Sequence, residues 1–235
     1  MNTNNTTASI PFSQRKIALA AGVLYLLTFV SIPIGFLYGP ILNDPNYIIG
    51  TGPDTAVIIG GILEIIVALA GIGTAVALYP VVRRQNEGVA LGFVGSRVLE
   101  AGTIFAEVVC LLALVTLRRA GVGAESLVIG HALVALSTCF RIGQNLMTTV
   151  NAVLLGSLLY RSRLVPRVLP VLGFIGTPLL IANTIVAMFG IRTGPIYLLT
   201  ATGVLPISLW EFSLGVWLIV KGFNPSAANQ LLNAA

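Results

Sequence analysis

Glu64, Arg97, Glu100, Glu107, Arg141, Gln144, Asn145 and Glu211 fall inside segments otherwise apolar enough to cross a bilayer. Carboxylates and guanidiniums are costly to desolvate at membrane depth, so they face the protein interior or a hydrated cavity and pair with one another. The chemistry open to such a set is ion pairing, binding of a proton or cation, and recognition of a small charged ligand.

Spacing groups these residues. Arg97, Glu100, Ile104 and Glu107 recur at three- and four-residue intervals, which places three charges on one helical stripe. Arg141, Gln144, Asn145, Thr148 and Asn151 line one face of the next apolar segment, so the two stripes are natural partners. A rise of about 1.5 Å per residue sets Glu64 and Glu100 near mid-membrane, Arg97 in the inner half, and Glu107 and Arg141 in the outer half. Arg97 is therefore expected to meet Glu100 or Glu211, and Arg141 to meet Glu107 or Glu64. Four acids face two arginines, leaving up to two carboxylates without a guanidinium. That surplus is where a proton, a cation or an amine could act.

Other chemistry has little support. Cys110 and Cys139 lie in apolar runs with no CxxC spacing or histidine cluster, so neither a disulfide framework nor a zinc site is implied. His131 is the sole histidine and cannot supply a three-ligand metal site by itself, which leaves an interfacial or hydrogen-bonding role. Ser96, Thr103, Ser137 and Thr138 stand in no nucleophile arrangement. Gly71-Ile72-Gly73-Thr74 lacks the lysine and preceding strand of a phosphate loop. The tyrosines and tryptophans, among them Tyr25, Trp210 and Trp217, suit helix packing or interfacial anchoring. No cofactor and no metal is expected.

The elements that position the charged set follow from composition. Hydrophobic residues make up 56% of 235 and charged residues 9%, with a mean hydropathy of +0.96, more apolar surface than one soluble core can hide. The formal charge of +5 comes from short clusters between apolar runs, which argues for a membrane orientation signal rather than a nucleic-acid partner. Six spans are expected at about 17–38, 55–80, 89–117, 130–159, 168–189 and 197–220, each long enough for a hydrocarbon core of about 30 Å. The fold class is therefore all-α, a polytopic transmembrane bundle. Residues 1–16 read as a flexible polar N-terminus, 17–220 as the transmembrane domain and 221–235 as a polar tail.

Glycine, proline and aspartate mark the boundaries, while Pro178 and Pro206 fall inside spans as candidate kinks. With the N-terminus inside, eight positive residues from Arg15 to Lys221 are cytoplasmic, and Arg118, Arg119 and Arg192 lie opposite. Both termini are thus expected in the cytoplasm. The loop Gly39–Asp54 reads as an external connection, with Tyr47, Ile48 and Ile49 as an interfacial contact. The fourth span is read as one long tilted helix, with a separate interfacial helix over 125–135 as the alternative. Spans five and six carry less charge and are expected to pack laterally on a polar group of four. Gly92, Gly95 and Gly102 are expected to thin the third helix for close approach.

Asn43-Asp44-Pro45-Asn46-Tyr47, Gly71-Ile72-Gly73-Thr74-Ala75, Arg84-Gln85-Asn86-Glu87-Gly88 and Gly95-Ser96-Arg97-Val98-Leu99-Glu100 together carry a resemblance. Over residues 15–220 the chain resembles the DUF4386-type family, widespread bacterial multi-pass membrane proteins of unknown function. The resemblance implies a cytoplasmic-membrane protein of about six spans; it supplies no catalytic residue, substrate or cofactor.

Three functions compete at this level. A structural or accessory membrane role, in which the polar network fixes packing, is the leading expectation. Binding or transport of a small charged or amphipathic molecule through an interior Glu/Arg pocket is the second, and transport by so small a unit calls for a homodimer. An intramembrane enzyme on an apolar or lipid-like substrate, with Glu100 or Glu107 as acid/base, is the third. Membrane lipids are the expected surroundings in every case.

Overall fold

A bilayer offers no partner for backbone N–H and C=O groups, so an apolar chain crossing it must satisfy them within helices. The computed structural model describes residues 12–121, 123–191 and 193–233, and among them there is no strand. Six helical segments are long and apolar enough to cross a membrane: Gln14–Asn43, Thr55–Val82, Glu87–Arg119, Ala124–Ser162, Val168–Met188 and Pro195–Val220. These match the six expected spans.

The first span is broken rather than continuous. It comprises α1 (Phe12–Leu27), a 3-10 turn over Thr28–Ser31, α2 (Ile34–Leu37) and α3 (Gly39–Asn43). Pro33 explains the break, because it has no backbone donor for the Phe29 carbonyl, which accepts from the Ile32 N–H at 3.2 Å instead. The second and third spans are α4 (Thr55–Val82) and α5 (Glu87–Arg119). Asn86 caps α5 by accepting from the Val89 N–H at 3.0 Å, with Glu87 in the first turn and Arg118 and Arg119 in the last. Both charge placements complement the helix dipole. The fourth span is α6 (Leu127–Ser162), an unbroken helix of 36 residues preceded only by a short 3-10 turn, as the long-helix reading expects. The fifth is α7 (Val168–Met188), which runs through Pro178 without interruption.

The sixth span divides at Thr202–Gly203 into α8 (Pro195–Ala201) and α9 (Val204–Val220). Pro206 sits in the first turn of α9, where its missing donor removes no intrahelical bond. Beyond it, α10 (Pro225–Asn233) follows, and Phe223, Ala227 and Ala228 join the main core.

Each span packs on those before and after it in the chain, and α9 returns to pack on both α7 and α1. The result is a closed ring of six helices. The expected lateral placement of spans five and six is therefore corrected: α9 completes the ring and carries Glu211 into its interior. Gly22 and Gly215 make this closure possible, since a Cβ on Gly22 would lie 2.7 Å from the Gly215 carbonyl oxygen. Gly95 and Gly102, by contrast, have no neighbour within 4 Å of the Cβ position, so they do not thin a contact.

Two apolar plugs close the ring. Leu78, Phe93, Leu155, Trp210 and Leu214 form one. Tyr38, Ile41, Ile48, Val57, Leu111 and Leu114 form the other. On the outside, Ile62, Leu69 and Val76 repeat every seven residues along α4 at 53–59% exposure, a face that suits lipid.

The loop leading to α4 is clamped. Asp54 accepts hydrogen bonds from Arg118 Nη1 at 2.9 Å, Arg119 Nε at 2.8 Å and Tyr47 Oη at 2.8 Å. Arg118 also donates to the Gly50 carbonyl at 2.8 Å and lies 4.2 Å from the Tyr47 ring centroid. Burial pushes the Asp54 carboxyl up, but the bonds from Arg119 and Tyr47 and both guanidinium charges outweigh it and hold it below its ordinary 3.8. Tyr47 and Ile48 are buried rather than interfacial, because the clamp draws this segment onto α5. Arg192 lies outside the described residues.

Candidate functional site

The polar residues lie between the plugs, in two clusters of one guanidinium and two carboxylates. In the first, Arg97 donates from Nη1 to Glu100 at 2.9 Å and from Nη2 to Glu211 at 2.7 Å. The Arg97 guanidinium also lies 5.6 and 5.8 Å from the ring centroids of Tyr25 and Phe93, placing aromatic faces beside the cation. Glu100 is saturated: besides Arg97 it accepts from Thr148 Oγ1 at 2.6 Å and Asn151 Nδ2 at 2.7 Å. Ser96 in turn donates to Asn151, so α5 and α6 interlock through their polar stripes.

In the second cluster Arg141 pairs with Glu107. Glu107 is fully buried, and its other oxygen Oε2 has no hydrogen-bond partner among the described residues. Glu64 receives a hydrogen bond from Tyr38 Oη at 3.0 Å and has no guanidinium partner among the described residues. Because Arg97 serves two carboxylates, only Glu64 lacks one, but two acids remain in excess over the two arginines.

Between the clusters lies open space. A cavity of about 220 Å³ is lined by Arg97, Glu100, Glu211, Gln144 and Asn145, with Ser208 at its wall. A second, of about 210 Å³, is lined by Glu64, Arg141, Gln144 and Asn145. The two share Ser31, Val67, Ile104, Gln144 and Asn145, so they form two lobes meeting at the amide pair. The side chains of Gln144 and Asn145 make no hydrogen bond to any described residue. Both broken spans abut the space: Thr28, Phe29 and Ser31 from the turn after α1, and Val204 from the start of α9. Irregular backbone at membrane depth is tolerated where it is buried or lines a cavity.

The structure thus brings all eight sequence-predicted residues to one interior region. Sequence reasoning missed Tyr38 as the partner of Glu64, Tyr25 beside Arg97, and the break over Thr28–Ser31. Pro33 and the two tyrosines gave little warning, since an aromatic side chain in an apolar run fits packing equally well. The other hydroxyls remain uncommitted to chemistry: Ser137 and Thr138 both donate to the Val134 carbonyl, and Thr103 to that of Glu100. His131 Nε2 lies 3.0 Å from the Pro45 carbonyl oxygen. Cys110 is buried, Cys139 exposed, and both are free. Among the described residues no three metal-ligating side chains converge.

A ring of six apolar helices around an acidic, partly open interior defines a multi-pass membrane protein. The chain belongs to the family described as Domain of unknown function (DUF4386), whose pattern matches residues 20–222. No curated protein and no solved structure matches the chain.

Proposed function

We propose that this is a bacterial cytoplasmic-membrane protein, with both termini in the cytoplasm, that binds a small cationic or amine-bearing ligand inside the helix ring. The observation that carries this reading is the two-lobed cavity at Gln144 and Asn145. Two unpartnered amides and an excess of carboxylates converge on one space. A bound cation would offset the surplus negative charge, and the amides would orient its polar substituents. Lobes of about 220 and 210 Å³ are smaller than drug-sized sites of about 300–1,000 Å³, which favours a small molecule.

The test is thermal stability of the purified protein in lipid nanodiscs against a panel of small amines and monovalent cations. A ligand at a hundred times its Kd adds about 2.7 kcal/mol of stability. At least one panel member should raise the Tm, and Glu211→Gln should lose that rise while staying folded, because the amide oxygen still accepts from Arg97. An equal rise in the variant, or none in the wild type, counts against the proposal.

The saturation of Glu100 favours a second reading, a structural or accessory role in which the network only locks helix register. It expects Glu100→Gln to lower folded yield with no ligand-dependent effect.

A further inference from the structure

At the opposite end of the bundle from the Asp54 clamp lies a second pocket, independent of the interior cavity. It has a volume of about 650 Å³ and sits between the α6–α7 turn and the segment following α9. Among the described residues it is lined by three cations, Arg163, Arg167 and Lys221, with Trp217, Leu164 and Phe223 as apolar walls, and by no acid. Glu87, at the start of α5 on the same end of the bundle, accepts instead from Tyr79 at 3.3 Å.

The backbone at the pocket adds to this. Arg163 closes α6 with φ +56°, and among the described residues it alone, apart from glycines, has a positive φ. That conformation favours glycine or asparagine, so an arginine here holds a guanidinium at the pocket against local backbone preference. The backbone around it is fixed, since Asn224 N–H donates to the Leu164 carbonyl at 2.8 Å. Arg167 stacks 4.7 Å from the Tyr160 ring centroid and so is held in place.

We propose that this pocket binds the phosphate of an anionic phospholipid. The arginines supply the fork geometry that phosphate oxygens accept, and the lysine adds a point charge. The apolar walls match the glycerol and first acyl carbons, which a free phosphate lacks. Basic pockets beside membrane helices recognise lipid headgroups in this way.

The experiment measures lipid occupancy and Tm of the full-length protein in nanodiscs of phosphatidylcholine, with and without phosphatidylglycerol. Phosphatidylglycerol should bind and raise the Tm in wild type. Arg163→Gly suits the left-handed backbone, so it should fold normally yet weaken apparent lipid affinity about fivefold; with Lys221→Gln added, the loss should multiply. Arg83→Gln with Arg84→Gln, which removes charge from the same end outside the pocket, should leave the preference intact. Equal loss in that control, or unchanged binding in the Arg163 and Lys221 variants, would overturn the site. Inorganic phosphate giving the same stabilisation in pure phosphatidylcholine would overturn the lipid assignment.

Discussion

Arg97 on α5 and Glu211 on α9 form an ion pair at 2.7 Å between helices that are not neighbours in the ring. The bond therefore crosses the interior and ties the third span to the sixth. It also holds Glu211 at the edge of the cavity, where the carboxylate keeps 15% of its side chain exposed while Arg97 keeps 5%.

Removing the guanidinium leaves two carboxylates beside each other without their cation. Arg97→Ala should lose about 3–5 kcal/mol of stability, the range for breaking a buried pair from one side. Arg97→Lys should recover only part of this, because one ammonium cannot reproduce a fork that reaches two carboxylates on different helices. Thermal or denaturant unfolding in a fixed detergent checks both; a lysine variant as stable as wild type would show that charge alone suffices.

Gly60 is the space in which Tyr38 sits. A Cβ there would lie 2.6 Å from Tyr38 Cε1, so Gly60→Ala should displace the ring and detach it from Glu64 one turn further along α4. The expected destabilisation is about 1–3 kcal/mol, typical of overpacking. Tyr38→Phe removes the same hydrogen bond without the clash and should cost less. If the alanine variant were as stable as wild type, the close Tyr38 contact would be disproved.

The Asp54 clamp carries a pH dependence of definite sign. A carboxyl whose folded pKa is depressed adds stability above its unfolded value, and that stability is lost as pH falls through the folded value. Tyr47 is shifted upward by burial and by its bond to Asp54, so its contribution is full below its ordinary 10.0 and is lost as pH rises through its folded value. Protection of residues 44–54 from hydrogen exchange, taken relative to the intrinsic rate at each pH, should therefore be high at neutral pH and fall below about pH 4. Asp54→Asn should remove the acid-side dependence.

Within the same clamp, Arg118 and Arg119 should differ. Arg118 is buried and bonds Gly50 as well as Asp54, whereas 59% of the Arg119 side chain is exposed. Arg118→Ala should destabilise by about 2–4 kcal/mol, and Arg119→Ala by about 1 kcal/mol or less. Paired unfolding curves decide; equal losses would mean that burial does not rank the two contacts.

The spans and the central charge pairs were legible because hydrophobic length and helical spacing act locally. Arg97, Glu100 and Glu107 share a stripe on any helix, and few acids were available as partners, so Glu211 could be placed beside Arg97 by depth alone. What could not be read was lateral order. Depth does not say whether the sixth span lies outside the others or closes the ring, since that depends on which glycine faces which helix, as at Gly22 and Gly215. The roles of Tyr38 and Tyr47 were hidden for a related reason: each is positioned by a break or clamp made from distant residues, Pro33 in one case and Arg118 in the other. The cavity itself is a property of packing, and no spacing rule signals that Gln144 and Asn145 go unpaired.

As proposed, the ring encloses a binding space and not a sealed network. A high-resolution structure of the purified protein in lipid tests it most directly, at the region bounded by Glu211, Gln144 and Asn145. Non-protein density, ligand or ordered water, is expected in hydrogen-bond contact with those groups. A dry interior, with the two amides bonded to each other or to the carboxylates, would contradict it.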